Sequence, residues 1–430
     1  MSNWKKVNLD KLCFFEKGKT GLAKAIPGDY PLVTTSAERK TNDSYQFDTK
    51  AVCIPLVSST GHGHASLNYV HYQEGKFALG TILVALIPKD ETILNAQFLH
   101  LYLSRLKDMI LVPLMSGAAN VSLSISKIKT VEIPLPPIDD QLRIVELFKN
   151  LVNENNELVE EINTQQSLLK QLKQTILQEA IEGKLTAKWR EQNPDIGTAK
   201  ELLEQIKTEK EQLVKDKKIK ASKPLPPIKE DEIPFDIPQS WEWCRLGDIC
   251  NYGSSPKIEP KDINDDTWIL DLEDIEKESS KLLCKIRGNE RNTSSNKSIF
   301  EKFDVLYSKL RPYLDKVIVA DENGVCTTEI LPLKFYINID SYYAMYALKR
   351  KDFLKYVNSL TKGMKMPRLG TDDGKNALFP FPPTEEQKEI VATIEKLFAI
   401  CDELECEINQ NKITVDNLMA TVLKEAFEQQ

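Results

Sequence analysis

The chain has 430 residues, 28% of them charged, with a net charge of −7 and a pI near 5.5, which is long enough for two or three domains that each bury a core. Its eight cysteines show no CxxC pair and no regular spacing, which argues against a disulfide framework or a zinc finger. The longest apolar run, residues 77–88, is too short to span a bilayer, and no secretory signal pattern opens the chain, so a soluble protein of the reducing cytoplasm is expected.

In chain order, Trp4-Lys5-Lys6-Val7-Asn8-Leu9 opens a first domain over 1–135. Residues 51–57 (AVCIPLV) and 81–87 (TILVALI) read as short buried strands, and 95–111 has helical periodicity. Residues 136–182 form a long helix. Pro136-Pro137 stands at its start, where a missing N–H costs nothing, and Asp139-Asp140 places negative charge at the positive end of the dipole. A connector follows over 183–240. Thr198 to Lys220 is charged and helix-prone, reading as a solvated surface helix, and 224–240 (PLPPIKEDEIPFDIPQS) is Pro-rich and extended, a linker that must carry the chain back to the far end of the long helix. A second domain occupies 241–379, with strand-like runs at 304–307, 316–320 and 330–337 and a helical stretch at 341–358. A second long helix closes the chain over 380–430.

The second half repeats the first. Residues 133–145 read IPLPPIDDQLRIV and 379–391 read FPFPPTEEQKEIV. A constant shift of 246 pairs Gln141 with Gln387, Val145 with Val391, and later Leu151 with Leu397 and Leu158 with Leu404. The domain openings pair at a shift of 237 (Trp4 with Trp241), so the second domain carries a net gain of nine residues. This is an internal duplication. Along the first helix Leu151, Asn155, Leu158, Ile162, Gln165, Leu169, Leu172 and Ile176 alternate by four and three, and Leu397, Cys401, Leu404, Ile408, Asn411, Val415, Leu418 and Val422 do the same along the second. That is a coiled-coil period, with polar residues on the seam fixing register. The expected fold is α+β: two mixed α/β domains, each followed by a long helix, the helices forming an antiparallel coiled coil with pseudo-twofold symmetry.

The acidity sits on the helices. Residues 1–135 hold 15 Lys/Arg against 11 Asp/Glu, whereas 136–182 hold 4 against 9 and 380–430 hold 4 against 11. A polyanionic partner therefore meets the globular parts. No GxGxxG, phosphate-binding loop, amino-methyltransferase motif or metal-ligand spacing is present. Gly61-His62-Gly63-His64 reads as a polar loop, and Asp271, Glu276 and Lys277 as acidic surface, so no catalytic residue and no metal site is assigned. Recognition remains. In the second domain Lys309, Arg311, Tyr313 and Lys316 interleave cations with aromatics, and Lys362, Lys365 and Arg368 cluster near a glycine, which suits phosphate contacts and bidentate guanine readout. In the first domain the candidates are polar: Thr35, Ser36, Arg39, Lys40, Ser59, Thr60, His62, Asn120 and Ser122, whose hydroxyls and amides read base edges from loops.

The order of these motifs, PLPPxxxQxxIV, a connector with Leu-Pro-Pro-Ile, WEWxxLGDI, YSKLRPYLxK, GxKMPRL and PFPPxxEQxxIV, resembles the specificity subunit of type I restriction-modification enzymes over essentially the whole chain. The resemblance implies that each globular domain is a target-recognition domain for one half of a split double-stranded DNA sequence, and that the repeated helices form a spacer on which two modification subunits dock. It also implies two adenine-methylating subunits and, in the full assembly, two ATP-driven restriction subunits. S-adenosylmethionine, ATP and magnesium are then expected on those partners, with no cofactor in this chain. The first domain lacks the Arg-Pro-Tyr run of the second. A 60 Å spacer corresponds to at most about 18 base pairs. A methyltransferase with its own non-standard site and a structural coiled-coil adaptor for proteins stay open as alternatives.

Overall fold

The computed structural model describes residues 4–60, 63–118, 120–219, 221, 223–336, 339–361 and 365–428, with side chains described as far as residue 418. The chain divides into two compact units, Met1–Thr164 with Asn409–Gln430, and Gln165–Ile408.

The first domain contains β1 (Lys5–Asn8), β2 (Cys13–Lys17), β3 (Tyr30–Val33), β4 (Lys40–Asn42), β5 (Phe47–Asp48), β6 (Ala51–Pro55), β7 (His71–Gln73), β8 (Lys76–Leu79), β9 (Leu83–Pro88) and β10 (Glu132–Leu135). One sheet has the order β2-β9-β6-β7 and another β4-β3-β8-β5, while β1 pairs antiparallel with β10 and brings the two ends of the domain together. β6 is buried at every residue because it serves two cores. Val52 and Ile54 join the cluster that includes Phe98 and Leu99, whereas Ala51 and Cys53 face Phe47 and Phe77. A strand covered on both faces loses the polar half of its alternation, which is why 51–55 reads as a continuous apolar run.

The second domain contains β11 (Glu242–Arg245), β12 (Lys257–Ile258), β13 (Trp268–Leu270), β14 (Ile286–Arg287), β15 (Lys297–Phe300), β16 (Val305–Ser308), β17 (Val317–Val319), β18 (Gly324–Cys326), β19 (Ile330–Leu333) and β20 (Leu378–Phe381). From β3–β9 to β13–β19 the two domains agree strand for strand. Val52 pairs with Leu86 and Tyr72 as Val305 pairs with Leu333 and Val319. The parallel pair Leu32–Ala78 recurs as Ile269–Val325, and Leu32–Lys40 recurs as Ile269–Ile286. These registers locate an extra nine residues. The connection between β3 and β4 has six residues (34–39), and that between β13 and β14 has fifteen (271–285).

The helical stretch expected at 95–111 forms Ala96–Arg105 and Lys107–Ile110, and that expected at 341–358 breaks at Lys349-Arg350 into Ser341–Leu348 and Lys351–Leu360. The long helices are Ile138–Ile181 and Thr384–Glu428, each starting directly after a Pro-Pro pair. Gln141 joins the first helix to its domain. Its side-chain oxygen accepts from Asn95 N at 2.8 Å, and its amide nitrogen donates to Ile93 O and Pro136 O, both at 2.8 Å. Gln387 repeats this in the second copy, accepting from Asp340 N at 2.8 Å and donating to Pro382 O at 2.9 Å. Asn95 and Asp340 are the N-caps of the helices that follow them.

The seam differs from expectation in one of its two rows. Ile162, Leu169 and Ile176 are buried on the first helix, and Cys401 and Ile408 on the second. Leu151, Leu397 and Val415 are half-buried. Leu158 and Leu172 are each 45% exposed, and Leu404 and Leu418 are 41% and 52% exposed. On the first helix Val159 and Lys173 take the covered positions instead. Residues 151–152 and 158–159 are apolar at both candidate steps, so a three-then-four and a four-then-three spacing fit equally well, and periodicity alone cannot choose between them. Val422 lies on the helix where side chains are outside the description.

The connector is not a solvated arm. Its helix, Ala199–Lys215, buries Ala199 and Ile206 in the core of the second domain. Arg245 reaches back to the Pro-rich stretch, donating to Pro226 O and Pro227 O, both at 3.2 Å, and pairing with Glu232 at 2.6 Å. The connector also returns to its own origin. Glu386 accepts from Thr186 Oγ1 and Trp241 Nε1, both at 2.8 Å, and pairs with Arg190. Further along the same unit, Lys173 bonds Asp402 at 2.7 Å and Glu405 at 2.8 Å.

Candidate nucleic-acid interface

The central strand of each domain runs out into a loop that a second loop covers. In the first domain Ser58 N donates to Val121 O and Leu123 N to Leu56 O, both at 3.0 Å. In the second, Arg311 N donates to Pro367 O at 2.8 Å and Leu369 N to Lys309 O at 3.0 Å. The isolated bridges Val57–Ser122 and Leu310–Arg368 complete the correspondence. Ser58 therefore stands where the second domain has Arg311, Thr60 where it has Tyr313, and Ser122 where it has Arg368. The hydroxyl-rich and the arginine-rich candidates occupy the same place on a duplicated scaffold.

In the second domain Arg311 and Asp315, both at φ near +50°, bracket the turn Pro312–Leu314. Left-handed backbone at non-glycine residues costs of order 1 kcal/mol each and is retained where a particular loop shape is needed. Arg311 and Tyr313 are exposed, and Arg311 Nη2 donates to Lys365 O at 3.3 Å. Arg368 is held flat by Glu329, Nε to Oε2 at 2.9 Å and Nη2 to Oε1 at 3.1 Å. Its Nη1 donates to Met366 O at 3.4 Å, so one N–H on each terminal nitrogen is left to face outward. Glu329 was not a sequence candidate, because nothing in a lone glutamate 39 residues away signals the pair. Lys309 is half-buried at the base of the loop and Lys365 is exposed beside it. Lys316 points elsewhere, donating to Leu272 O at 2.6 Å. Lys362 lies outside the described residues.

In the first domain the loop's hydroxyls largely hold the loop itself. Ser58 Oγ donates to His64 O at 2.5 Å, Thr60 and Ser66 share a hydrogen bond of 2.8 Å, and Ser59 Oγ accepts from Asn68 N at 2.9 Å. Gly63, at φ +80°, brings the loop against Ala118, whose carbonyl oxygen would lie 2.7 Å from an added Cβ. Asn120 and Ser122 are exposed on the covering loop, and His62 lies outside the described residues. Thr35, Ser36, Arg39 and Lys40 form a separate group on the β3–β4 connection and the start of β4. Arg39 turns onto β7, donating to Gln73 Oε1 at 3.0 Å and Tyr72 O at 3.2 Å and facing His71 Nδ1 at 3.1 Å.

Burial, with Arg39 and His100 nearby, pulls the His71 imidazolium down to about 4. A histidine depressed in the folded state stabilises fully above its unfolded value, and that contribution is lost as pH falls from about 6.5 towards 4. Thermal melts should therefore show the full chain losing stability between pH 7 and pH 5, with His71→Asn flattening that slope. An unchanged slope in the variant would assign the acid sensitivity elsewhere. The acidic run at 271–274 is neutralised internally. Arg291 bonds Asp274 at 2.5 and 2.7 Å, and Lys297 bonds Asp271 at 2.8 Å. Burial raises the Asp274 carboxyl, but the Arg291 hydrogen bonds and charge outweigh it and leave the group below its usual range. Such a cluster anchors a loop.

Residues 1–166 and 238–413 each match the family model described as the type I restriction modification DNA specificity domain. The specificity subunit of the type I restriction enzyme EcoDI from Escherichia coli is 26% identical over 429 residues, covering 99% of this chain and 88% of that protein. The EcoBI specificity subunit of the same species is 33% identical over 316 residues, 69% of this chain and 57% of that protein, and the match to the EcoEI subunit spans about half of its length. Among solved structures, a chain from a study of complex assembly and conformational transition in the type I R-M system aligns with a TM-score of 0.61 at 17% identity, over 99% of this chain and 98% of that one. The HsdS subunit of Thermoanaerobacter tengcongensis aligns with a TM-score of 0.56 at 17% identity, over 99% and 97%. These last two likenesses concern the fold.

Proposed function

This chain belongs to the type I restriction-modification specificity family, with two target-recognition domains, and from that premise we propose that it reads a bipartite DNA sequence, one half-site per domain, and recruits the subunits that act on it. The observation that carries this reading is the equivalence of the two loops. One scaffold, duplicated strand for strand, presents Ser58-Ser59-Thr60 in one copy and Arg311-Pro312-Tyr313 in the other. Identical supports with different tips suit two readers of different sequences, because specificity resides in side chains at base edges.

The long helices set the gap. Residues 183–190 lie at the start of the second helix while Lys173 meets residues 402–405, an order that supports an antiparallel spacer with pseudo-twofold symmetry. Rows of exposed leucine on each helix, Leu158 and Leu172 on one and Leu404 and Leu418 on the other, support docking of methyltransferase subunits, since exposed apolar side chains in register mark protein contacts. In this reading two modification subunits bring S-adenosylmethionine, two restriction subunits bring ATP and magnesium, and the assembly works in the cytoplasm. No described helix is long and apolar enough to cross a membrane.

Methylome sequencing of cells carrying the chain and its methyltransferase, with and without the chain, tests the proposal. A split motif methylated only when the chain is present is expected, and methylation independent of the chain would refute it. Inserting seven residues after Gln165 and seven after Asn411 lengthens the spacer by about 10 Å, roughly three base pairs. The gap should widen while both half-sites stay the same. An unchanged gap with altered base preference would exclude a spacer role.

A further inference from the structure

The extra nine residues of the second domain occupy a recess beside its reading loop. Lys349 Nζ donates to Glu278 O at 2.9 Å, Ser280 Oγ at 2.6 Å and Asp315 Oδ2 at 2.9 Å, and Glu278 N donates to Leu314 O at 2.8 Å. Glu278 and Ser280 both have positive φ, near +60°. One ammonium thus clamps a strained turn into place through its backbone and Ser280, while the Glu278 carboxylate pairs with Lys170 of the long helix. The N-caps Asn95 and Asp340 align the two helices, and the strand pairs Cys53–His71 and Leu306–Ile318 align β7 with β17. On that alignment Lys349 corresponds to Ser104, and Asp315 to Asn68.

In the first domain Ser104 and Asn68 line an open cleft of about 490 Å³. The shorter β3–β4 connection does not reach it; its Arg39 is bonded to β7 instead. Tyr72, Leu101 and Phe148 make an apolar wall, and Arg105, Lys107 and Lys149 surround it. The corresponding positions of the second domain hold Arg350, Asp352 and Glu395, so the open cleft is the more cationic of the two. Lys107 pairs with Asp108 and Lys149 with Gln97, whereas the Arg105 guanidinium lies over the Phe148 ring at 4.9 Å. No carboxylate partner for Arg105 is found among the described residues.

We propose that this cleft is a docking site for an acidic turn of a partner protein, with the chemistry of the Glu276–Ser280 turn that fills its counterpart. Two features fit such an occupant: an apolar wall for flanking leucine or isoleucine, and a guanidinium with no carboxylate partner among the described residues. The proposal goes beyond DNA recognition and does not depend on it.

The test uses a fluorescein-labelled peptide with the sequence of residues 272–283 and the full chain, read by fluorescence polarisation. Saturable binding that weakens with added salt is expected. Arg105→Glu should weaken it at least about tenfold, because it replaces an attraction by a repulsion. Ser104→Lys, which supplies the clamp that Lys349 provides in the second domain, should tighten binding by about fivefold, a gain that misfolding cannot mimic. Binding no better than that of a peptide with its glutamates replaced by lysine, or insensitivity to both substitutions, overturns the proposal. Displacement of the peptide by duplex DNA assigns the cleft to the phosphate backbone and overturns it equally. Methylation of both half-sites should persist in Arg105→Glu, so the recognition reading is judged separately from this one.

Discussion

Replacing Gln141 by leucine is expected to destabilise the first domain by about 3–5 kcal/mol, since three partners at 2.8 Å lose a bond inside a site with no solvent exposure, and each stranded buried group costs about 1–3 kcal/mol. The damage should be local. Hydrogen exchange should accelerate in Ala96–Arg105, whose N-cap backbone N–H the glutamine accepts, while Ser341–Leu348 keeps its protection. Gln387→Leu should reverse the pattern. The same clamp fixes the angle at which the long helix leaves the domain, so half-site affinity should fall together with protection. Uniform loss of protection in both domains would mean that the clamps are not separate.

The two glutamines show what kind of information a single sequence carries. Gln141 and Gln387 stand out through the shift of 246, yet their spacing says nothing of their bonds, which reach 46 and 48 residues back along the chain from Gln141 and 47 from Gln387. The duplication, the strand-like runs and the net gain of nine residues are legible because they are properties of order along the chain. The equivalence of Ser58 with Arg311 is not. The first domain has twelve residues between Val57 and Val70, and the second has six between Leu310 and Val317. A longer approach to Phe300, 289–299 against 43–46 before its counterpart Phe47, offsets that difference almost completely, so a constant shift passes over both loops out of register. The roles of Glu329 and Lys349 are illegible for a different reason: each acts across tens of residues, and an isolated acid or lysine has no periodic signature. The docking of the connector is not legible because its apolar residues are few. Ala199 and Ile206 suffice to seat the helix, and Arg245 holds the proline stretch through carbonyls that composition cannot reveal.

Arg311→Ala and Arg368→Ala should each weaken binding to the second half-site by about 1–3 kcal/mol, roughly 5- to 150-fold, if each arginine grips a guanine edge. DNA altered in the first half-site should suffer the same further loss in variant and parent. Arg368 carries the sharper test because Glu329 fixes the plane of its guanidinium through Nε and Nη2. Glu329→Gln keeps the side chain's length and removes the charge, so the arginine loses its orientation but not its attraction for phosphate. Binding to unrelated duplex should then rise or hold while preference for the cognate half-site falls. If the arginines supply only phosphate affinity, their removal would instead lower binding to every sequence alike, the salt slope would drop by about one per residue, and Glu329→Gln would leave preference untouched. On the proposed reading the fork geometry is built before DNA arrives, so the cost of orienting a long flexible side chain is already met in folding, and that preorganisation would let a single exposed arginine discriminate between bases.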